Sequence, residues 1–309
     1  MIHNTVGITN MMISFFKPIN IAGEEFWDGG LAFPSPIELA TWEASRIWTE
    51  DTVNDVTISL GTGEVTKSPP IDSGRSHSLQ RLWSSFMDFL DGHSRSRDMK
   101  NGLCQRQRED FFRLDTQLPS PIRLDDTKSL ELQKRMVYST PQRQLTEVAT
   151  ALLVSSFFFK LDGPLTYEGG FYHCRGSIRC RVNARDVIRA LQNIHSTQME
   201  FVTSSAKLVD CDMERDVCST CCRYKKAIAF YLRHPDELVT VSMRMGDTER
   251  KISGFPQTIS WFEKQQGYHC PFGSGQYFQT TMECSSCTRG NKRRLSGDLH
   301  FDGRKRTRR

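Results

Sequence analysis

The sequence predicts an α/β unit, then helices, then a strand-rich α+β domain, and last a disordered basic tail. Apolar residues first recur at helical spacing, from Ile37 to Ile47, and then alternate as in a strand, from Val56 to Leu60. After residue 164, strand-like alternation predominates. The predicted boundaries are 1–63 for the α/β unit, 64–105 for a loosely ordered insertion, 106–163 for the helical segment, 164–288 for a β-rich domain that contains most of the cysteines, and 289–309 for the tail.

The first helix has a well-specified beginning. Ser35 is a suitable N-cap, Pro36 suits the first helical position, and Glu38 stands three residues after Ser35, as in a capping box. Gly61-Thr62-Gly63 ends the strand that follows. The later predicted elements are helices at Lys128–Val137 and Gln144–Phe157, strands at Phe171–Val182, Ala227–Arg233 and Leu238–Met245, and a helix that carries Val187, Ile188, Leu191 and Ile194 on one face.

Charge is concentrated at the C-terminus. The net charge of +5 comes largely from Lys292-Arg293-Arg294 and Arg304–Arg309, and the rest is close to neutral, so we expect no specific nucleic-acid partner for the globular part. The two basic clusters match a bipartite nuclear-import pattern. They would also attract anionic phospholipid headgroups, and a solvated tail without function is a third reading.

Membrane insertion and secretion are not expected from this sequence. The longest apolar-rich stretch, Val148–Phe159, has about half the length that a bilayer-spanning helix needs. The N-terminus lacks a basic region followed by an apolar run, so we predict no signal peptide. The expected location is cytoplasmic, with peripheral membrane contact or nuclear import as the alternatives that the tail offers.

Ten cysteines in such a chain indicate reduced thiols or metal ligands rather than a disulfide framework. Two Cys-x-x-Cys pairs, Cys218 with Cys221 and Cys284 with Cys287, have the spacing that places two thiolates on one tight turn. Together they would suit a structural zinc ion. Free buried thiols and redox or disulfide chemistry are the other readings.

The sharpest motif is Phe26-Trp27-Asp28-Gly29-Gly30-Leu31, followed by the capped helix and by Ser59-Leu60-Gly61-Thr62-Gly63. Alone, Asp-Gly-Gly is an ordinary turn. The ordered set resembles the C-terminal part of a fungal patatin-like phospholipase domain, a three-layer α/β fold. Weaker similarity continues to about residue 275, through segments such as Phe112-Arg113-Leu114 and Cys174–Ile178.

The resemblance implies a lipid acyl hydrolase with a serine–aspartate dyad, which needs no cofactor. Asp28 matches the general base, and Gly29 and Gly30 are the motif glycines. The implied substrates are phospholipids or lysophospholipids. The chain has no Gly-x-Ser-x-Gly and no N-terminal glycine-rich oxyanion loop, both of which lie upstream of Asp-Gly-Gly in the family. We therefore expect this chain to be inactive alone, and the alternative is a catalytically dead interaction module, stapled by zinc.

Overall fold

The computed structural model is a mixed α/β structure whose contacts form two compact units, residues 1–149 and 150–309. Within the described residues, every helix is too short or too polar to cross a bilayer. The five predicted ranges divide the chain more finely than these units, and those boundaries stay a prediction. The structure describes residues 19–26, 36–48, 54–61, 63–65, 92–119, 127–204, 206–267, 284 and 286–287.

Unit 1 combines short strands with helices. In chain order its elements are β1 (Ile19–Ile21), β2 (Glu24–Phe26), α1 (Pro36–Ile47), β3 (Thr57–Leu60), β4 (Glu64–Val65), α2 (Gly92–Gly102), α3 (Gln105–Arg108), β5 (Phe111–Leu114), β6 (Gln117–Leu118), a 3-10 turn (Thr127–Ser129), α4 (Leu130–Tyr138) and α5 (Gln142–Val154), which crosses the boundary between the units.

The predicted helix and strand of the α/β unit are confirmed as α1 and β3. Ser35, the predicted N-cap, lies outside the described residues. β3 pairs in parallel with β5, and Gly61 continues the ladder by donating its N–H to the carbonyl of Leu114 at 2.8 Å. A Cβ at Gly61 would overlap the Asp115 carboxylate. Gly63 has a φ of 115°, where side chains are strained. Glycine is therefore favoured at position 61 by the close approach of Asp115, and at position 63 by the positive φ.

Two of the predicted ranges contain elements that the sequence analysis did not predict. The range 64–105, predicted to be loosely ordered, contains α2. This helix is polar, and its buried Ser96 contacts Ser59 through hydroxyl groups, so no apolar periodicity marks it. The predicted helical range 106–163 also contains β5, β6 and β7, because Phe111 and the phenylalanines after residue 156 are in strands rather than on a helix face.

Unit 2 is built around two four-stranded antiparallel sheets, ordered β12–β9–β7 with β8 also on β9, and β11–β10–β14–β15. One apolar core takes side chains from both sheets and from the helices. Its elements are β7 (Phe157–Leu161), β8 (Thr166–Glu168), β9 (Phe171–Cys180), α6 (Ala184–His195), β10 (Met199–Thr203), β11 (Lys207–Asp210), α7 (Met213–Asp216), β12 (Lys225–Leu232), β13 (Leu238–Val239), β14 (Val241–Met245), β15 (Thr248–Lys251), β16 (Gln257–Thr258) and α8 (Ile259–Gln265).

The predicted helices and strands of unit 2 are confirmed in type, and most of their boundaries shift by one to three residues. Two of the differences have a clear physical reason. The helix predicted to reach Phe157 ends at Val154, because Phe157 begins β7 and is fully buried opposite Cys180 of β9. The single strand predicted over Leu238–Met245 divides into β13 and β14, since β13 pairs with β16 whereas β14 pairs with β10 and β15.

Helix α6 shows how sequence and packing agree in this unit. Its N-cap Asn183 accepts the N–H of Arg185 at 3.1 Å, which satisfies a free donor of the first turn. Val187, Ile188 and Leu191 are buried at helical spacing. The amide of Ala184 donates to the carbonyl of Cys222, so the helix begins beside the first Cys-x-x-Cys turn.

Candidate metal centre

The first pair of candidate ligands lies on a short hairpin that leads into β12. Val217 and Tyr224 form an antiparallel bridge. Between them, Cys218 N–H donates to Arg223 O and Cys222 N–H donates to Cys218 O, both at 3.0 Å. Cys222 has a φ of 54°, so the turn closes through a left-handed residue that is not glycine. This closure directs Cys218 and Cys221 to the same side of the turn.

The second pair forms a matching turn. The N–H of Cys287 donates to the sulfur of Cys284 at 3.4 Å. The two turns are joined directly, because the hydroxyl of Thr220 donates to the hydroxyl of Ser286 at 3.1 Å. Thr220 and Ser286 are the third residues of the two Cys-x-x-Cys sequences. The structure thus brings together turns that are 66 residues apart.

The four sulfurs of Cys218, Cys221, Cys284 and Cys287 have the geometry to hold a metal ion. They all lie within 4.8 Å of one another. The sulfur of Cys284 is 3.6 Å from that of Cys218 and 3.4 Å from that of Cys287, and Cys221 is 3.5 Å from Cys287. A tetrahedral zinc with bonds of about 2.3 Å separates its sulfur ligands by about 3.8 Å. These distances are much longer than a disulfide bond of about 2.05 Å, and all four cysteines are free thiols.

The local electrostatics prepare one thiol of each pair for deprotonation. The backbone N–H of Cys221 is the main cause that lowers the pKa of Cys218, to about 6, since it donates to the thiolate. The N–H of Cys287 lowers the pKa of Cys284 in the same way. Removal from water raises the pKa of Cys221 and of Cys287. A metal ion would favour the thiolate form of all four.

An ion pair anchors the hairpin to the sheet. Asp216, directly before Val217, has a side chain that is 1% exposed and lies 2.8 Å from the ammonium of Lys226 on β12. The same carboxylate accepts the N–H of Asp212 at 3.0 Å. Because a buried carboxylate is stable only when it is paired and hydrogen-bonded, these contacts fix the approach to the turn.

Two other cysteines near the hairpin do not belong to the cluster. Cys211 is half-buried, and its removal from water raises the pKa of its thiol to about 12. Cys222 packs against the apolar core. The Cys-x-x-Cys spacing had set these two thiols apart from the four candidate ligands, and the structure agrees, because the group of close sulfurs consists of those four alone among the described residues.

The predicted catalytic residues Asp28, Gly29 and Gly30 lie outside the described residues. Nearby in sequence, Ser59 of the Ser-Leu-Gly-Thr-Gly motif is buried and accepts Arg113 Nη1 at 2.7 Å. Arg113 in turn binds Asp115 at 2.7 Å, and Asp115 also accepts the amides of Gly63 and Thr116. The described partners of the Ser59 hydroxyl are Arg113 and Ser96, and neither can take its proton, which favours a structural role for Ser59.

A cavity of about 400 Å³ lies between α1 and β3. Its lining includes Ile37, Val56 and Ser59, and none of the described residues that line it can titrate. Acid–base catalysis in this cavity therefore has no support from the described residues. Sequence reasoning missed the Ser59–Arg113–Asp115 network, whose signal was the two-residue spacing of Arg113 and Asp115 at the end of an otherwise apolar strand.

The chain was also compared with known protein families, with curated proteins and with solved structures, and no significant match was found in any of the three.

Proposed function

We propose that Cys218, Cys221, Cys284 and Cys287 bind a structural zinc ion, and that the chain is a non-catalytic interaction module stapled by that ion. The observation that carries the proposal is the convergence of four thiols within 4.8 Å from two turns 66 residues apart. Sets of four sulfur ligands in a tetrahedron are typical of zinc or iron–sulfur sites. Four ligands from the protein leave no open position for a substrate, which favours a structural role.

The ion would attach the chain around Cys284 to the hairpin that begins β12. Among the described residues, a hydrogen bond from Thr220 to Ser286 joins the two turns. One exposed hydrogen bond contributes about 1 kcal/mol at most. An ion bound by thiolates from both turns would add a cross-link between them.

Metal analysis of the purified chain tests this proposal. We expect about one zinc per chain after purification without added metal. Substitution of Cys218 and Cys221 by serine should remove the zinc, whereas Cys104→Ser, which changes an exposed thiol of unit 1, should retain it. A parent without zinc, or a Cys218→Ser/Cys221→Ser variant that keeps it, would contradict the proposal. Iron with bound sulfide would assign the same ligands to a cluster instead.

A relationship to patatin-like acyl hydrolases is a second proposal, and it rests on the ordered motif from Asp28 to Gly63. The parallel pairing of β3 with β5 supports it, because parallel strands joined through helices are typical of α/β domains. In this proposal Asp28 descends from the general base of a dyad, and phospholipids or lysophospholipids are the ancestral substrates. Attraction of the basic tail to anionic membranes and nuclear import by the tail are also proposals.

The chain should not hydrolyse acyl esters by itself, because the nucleophilic serine of the motif is absent from its 309 residues. We expect hydrolysis of short-chain esters and of phospholipid vesicles at the rate of a buffer blank. Clear activity that Asp28→Ala abolishes would show that another nucleophile completes the site.

A further inference from the structure

The two sheets of unit 2 carry very different charge patterns on their open faces. On the sheet that contains β10 and β14, Glu200 lies 2.8 Å from Lys207 and 3.3 Å from Arg244, and Arg244 lies 3.1 Å from Glu249. The charges there neutralise one another across the strands. On the other sheet, the cations of β9 and β12 that lie on the side away from the core have no such ion pairs within the described residues.

We call this second surface the basic face, and it is defined by six residues of β9 and β12. The pairing of these strands sets Tyr231 opposite His173 and Lys225 opposite Arg179. Alternation along β9 adds the remaining members to the same side of the sheet, while Cys174 and Ile178 point into the core. The basic face consists of Phe171, His173, Arg175, Arg179, Lys225 and Tyr231.

Two arginines of the basic face donate hydrogen bonds to uncharged side chains. Arg175 Nε donates to His173 Nδ1 at 3.2 Å, and Arg179 Nε donates to Ser177 Oγ at 3.3 Å. Within the described part of the chain, no ion pair joins Arg175, Arg179 or Lys225 to a carboxylate. Two acids border the face: Asp162, which accepts the Ser177 hydroxyl, and Glu168, opposite Phe171 at the far end.

Aromatic rings lie beside these cations. The rings of His173 and Tyr231 are stacked, with centroids 4.7 Å apart and planes 15° apart. Tyr231 is 65% exposed and Phe171 is 46% exposed, whereas His173 is 8% exposed. A flat, exposed ring beside guanidinium groups suits an unpaired base attached to phosphates.

We propose that the basic face binds single-stranded nucleic acid, with Tyr231 stacking on a base and Arg175, Arg179 and Lys225 contacting phosphates. From Lys225 to Tyr231 the strand covers about 20 Å. This length suits the two or three bases that sheet-based RNA-binding modules stack. A duplex keeps its bases stacked inside and offers no base to Tyr231. A lipid surface would use the cations but would gain little from a stacked pair of rings. The face is independent of the cysteine cluster, so the proposal does not require the metal.

Binding of fluorescein-labelled oligonucleotides of about ten nucleotides, measured by anisotropy with the full chain, tests the proposal. Uridine and thymidine oligomers distinguish RNA from DNA. The basic tail will add affinity of its own, so the test is the difference between variants that share the same tail. We expect Tyr231→Ala to weaken binding about tenfold and Tyr231→Phe to preserve it. Tyr138→Ala, at a tyrosine of α4 that is 80% exposed, is the matched control and should bind as the parent does.

Salt dependence separates phosphate contacts on this face from general attraction. The double variant Arg175→Gln/Arg179→Gln should reduce the slope of log K against log salt by about 1.4, since each phosphate contact contributes about 0.7. Arg135→Gln/Arg143→Gln removes the same charge from α4 and α5 and should leave the slope unchanged. Melting temperatures near that of the parent would show that the variants are folded.

Three results would overturn the proposal. In the first, the parent does not bind the oligomers. In the second, Tyr231→Ala and Arg175→Gln/Arg179→Gln bind them as the parent does, which would assign binding to the tail. In the third, the same variants keep oligonucleotide binding but lose binding to phosphatidylserine vesicles, which would identify the face as a membrane surface.

Discussion

Loss of the second pair of metal ligands should destabilise unit 2 only slightly, although the metal closes a loop of 66 residues. The change is Cys284→Ser/Cys287→Ser. In the unfolded chain, a cross-link over such a loop removes conformational freedom equivalent to about 4 kcal/mol. That figure would be the whole effect if residues near 284 stayed in place without the metal.

We expect the variant to release Cys284 from the hairpin. Among the described residues, Ile259 and Phe262 of α8 are the last that the core buries, and Cys284 is 19 residues beyond Gln265 in the sequence. Release would give the folded chain a freedom equivalent to that of a loop of about 19 residues. The loop of 66 residues is less than four times as long as the loop of 19 residues. Each doubling of length changes the free energy of loop closure by about 0.6 kcal/mol. The net loss of stability is therefore about 1 kcal/mol.

Calorimetry of the full chain measures this quantity. For a unit of this size, about 1 kcal/mol lowers the melting temperature by about 2–4 °C. Chelation of the metal from the parent should give the same shift, and Cys104→Ser should give none. Hydrogen exchange should increase around Cys284 and stay low in β9 and β10. A fall of more than about 10 °C, or lost protection throughout unit 2, would refute the reasoning and show that the metal nucleates the whole unit.

Three further predictions concern particular contacts. Asp216→Ala should lower the free energy of unfolding in urea by about 3 kcal/mol, because it leaves Lys226 unpaired. Lys207→Ala, at an exposed ion pair, should lower it by less than about 1 kcal/mol. Equal effects of the two substitutions would contradict the burial of Asp216. Gly61→Ala should destabilise unit 1 by about 1–3 kcal/mol, because the new methyl group would displace Asp115. Gly102→Ala, which has open space around the glycine, should not destabilise it. Urea unfolding of the two variants measures the difference. With iodoacetamide near pH 8, Cys104 should be alkylated quickly, while Cys174 and Cys211, whose pKa values burial raises to about 12, should stay unmodified by mass spectrometry.

Local patterns in the sequence determined the elements whose stabilising contacts are local or lie along one face. α1 forms where the apolar spacing from Ile37 to Ile47 predicts a helix, and α6 buries the apolar stripe that its spacing indicates. The Cys-x-x-Cys spacing also predicted both ligand turns, because two residues between cysteines suffice to turn the chain. Each of these features depends on fewer than about twelve neighbouring residues, so the sequence contains all the information that it needs.

Only the tertiary structure decided which distant segments meet. The apolar run around Phe157 fits a helix face as well as a strand, and its pairing with β9 made it a strand. The meeting of Cys218 with Cys284 depends on the chain path through β12 to α8, which no local pattern encodes. The amino-acid composition does not reveal the basic face either, because the face depends on the pairing of two strands that are distant in the sequence. From residue 150 to residue 288 the 16 lysines and arginines nearly balance the 14 acidic residues. The register of β9 and β12, together with the two-residue alternation of strands, collects the cations on one side of one sheet.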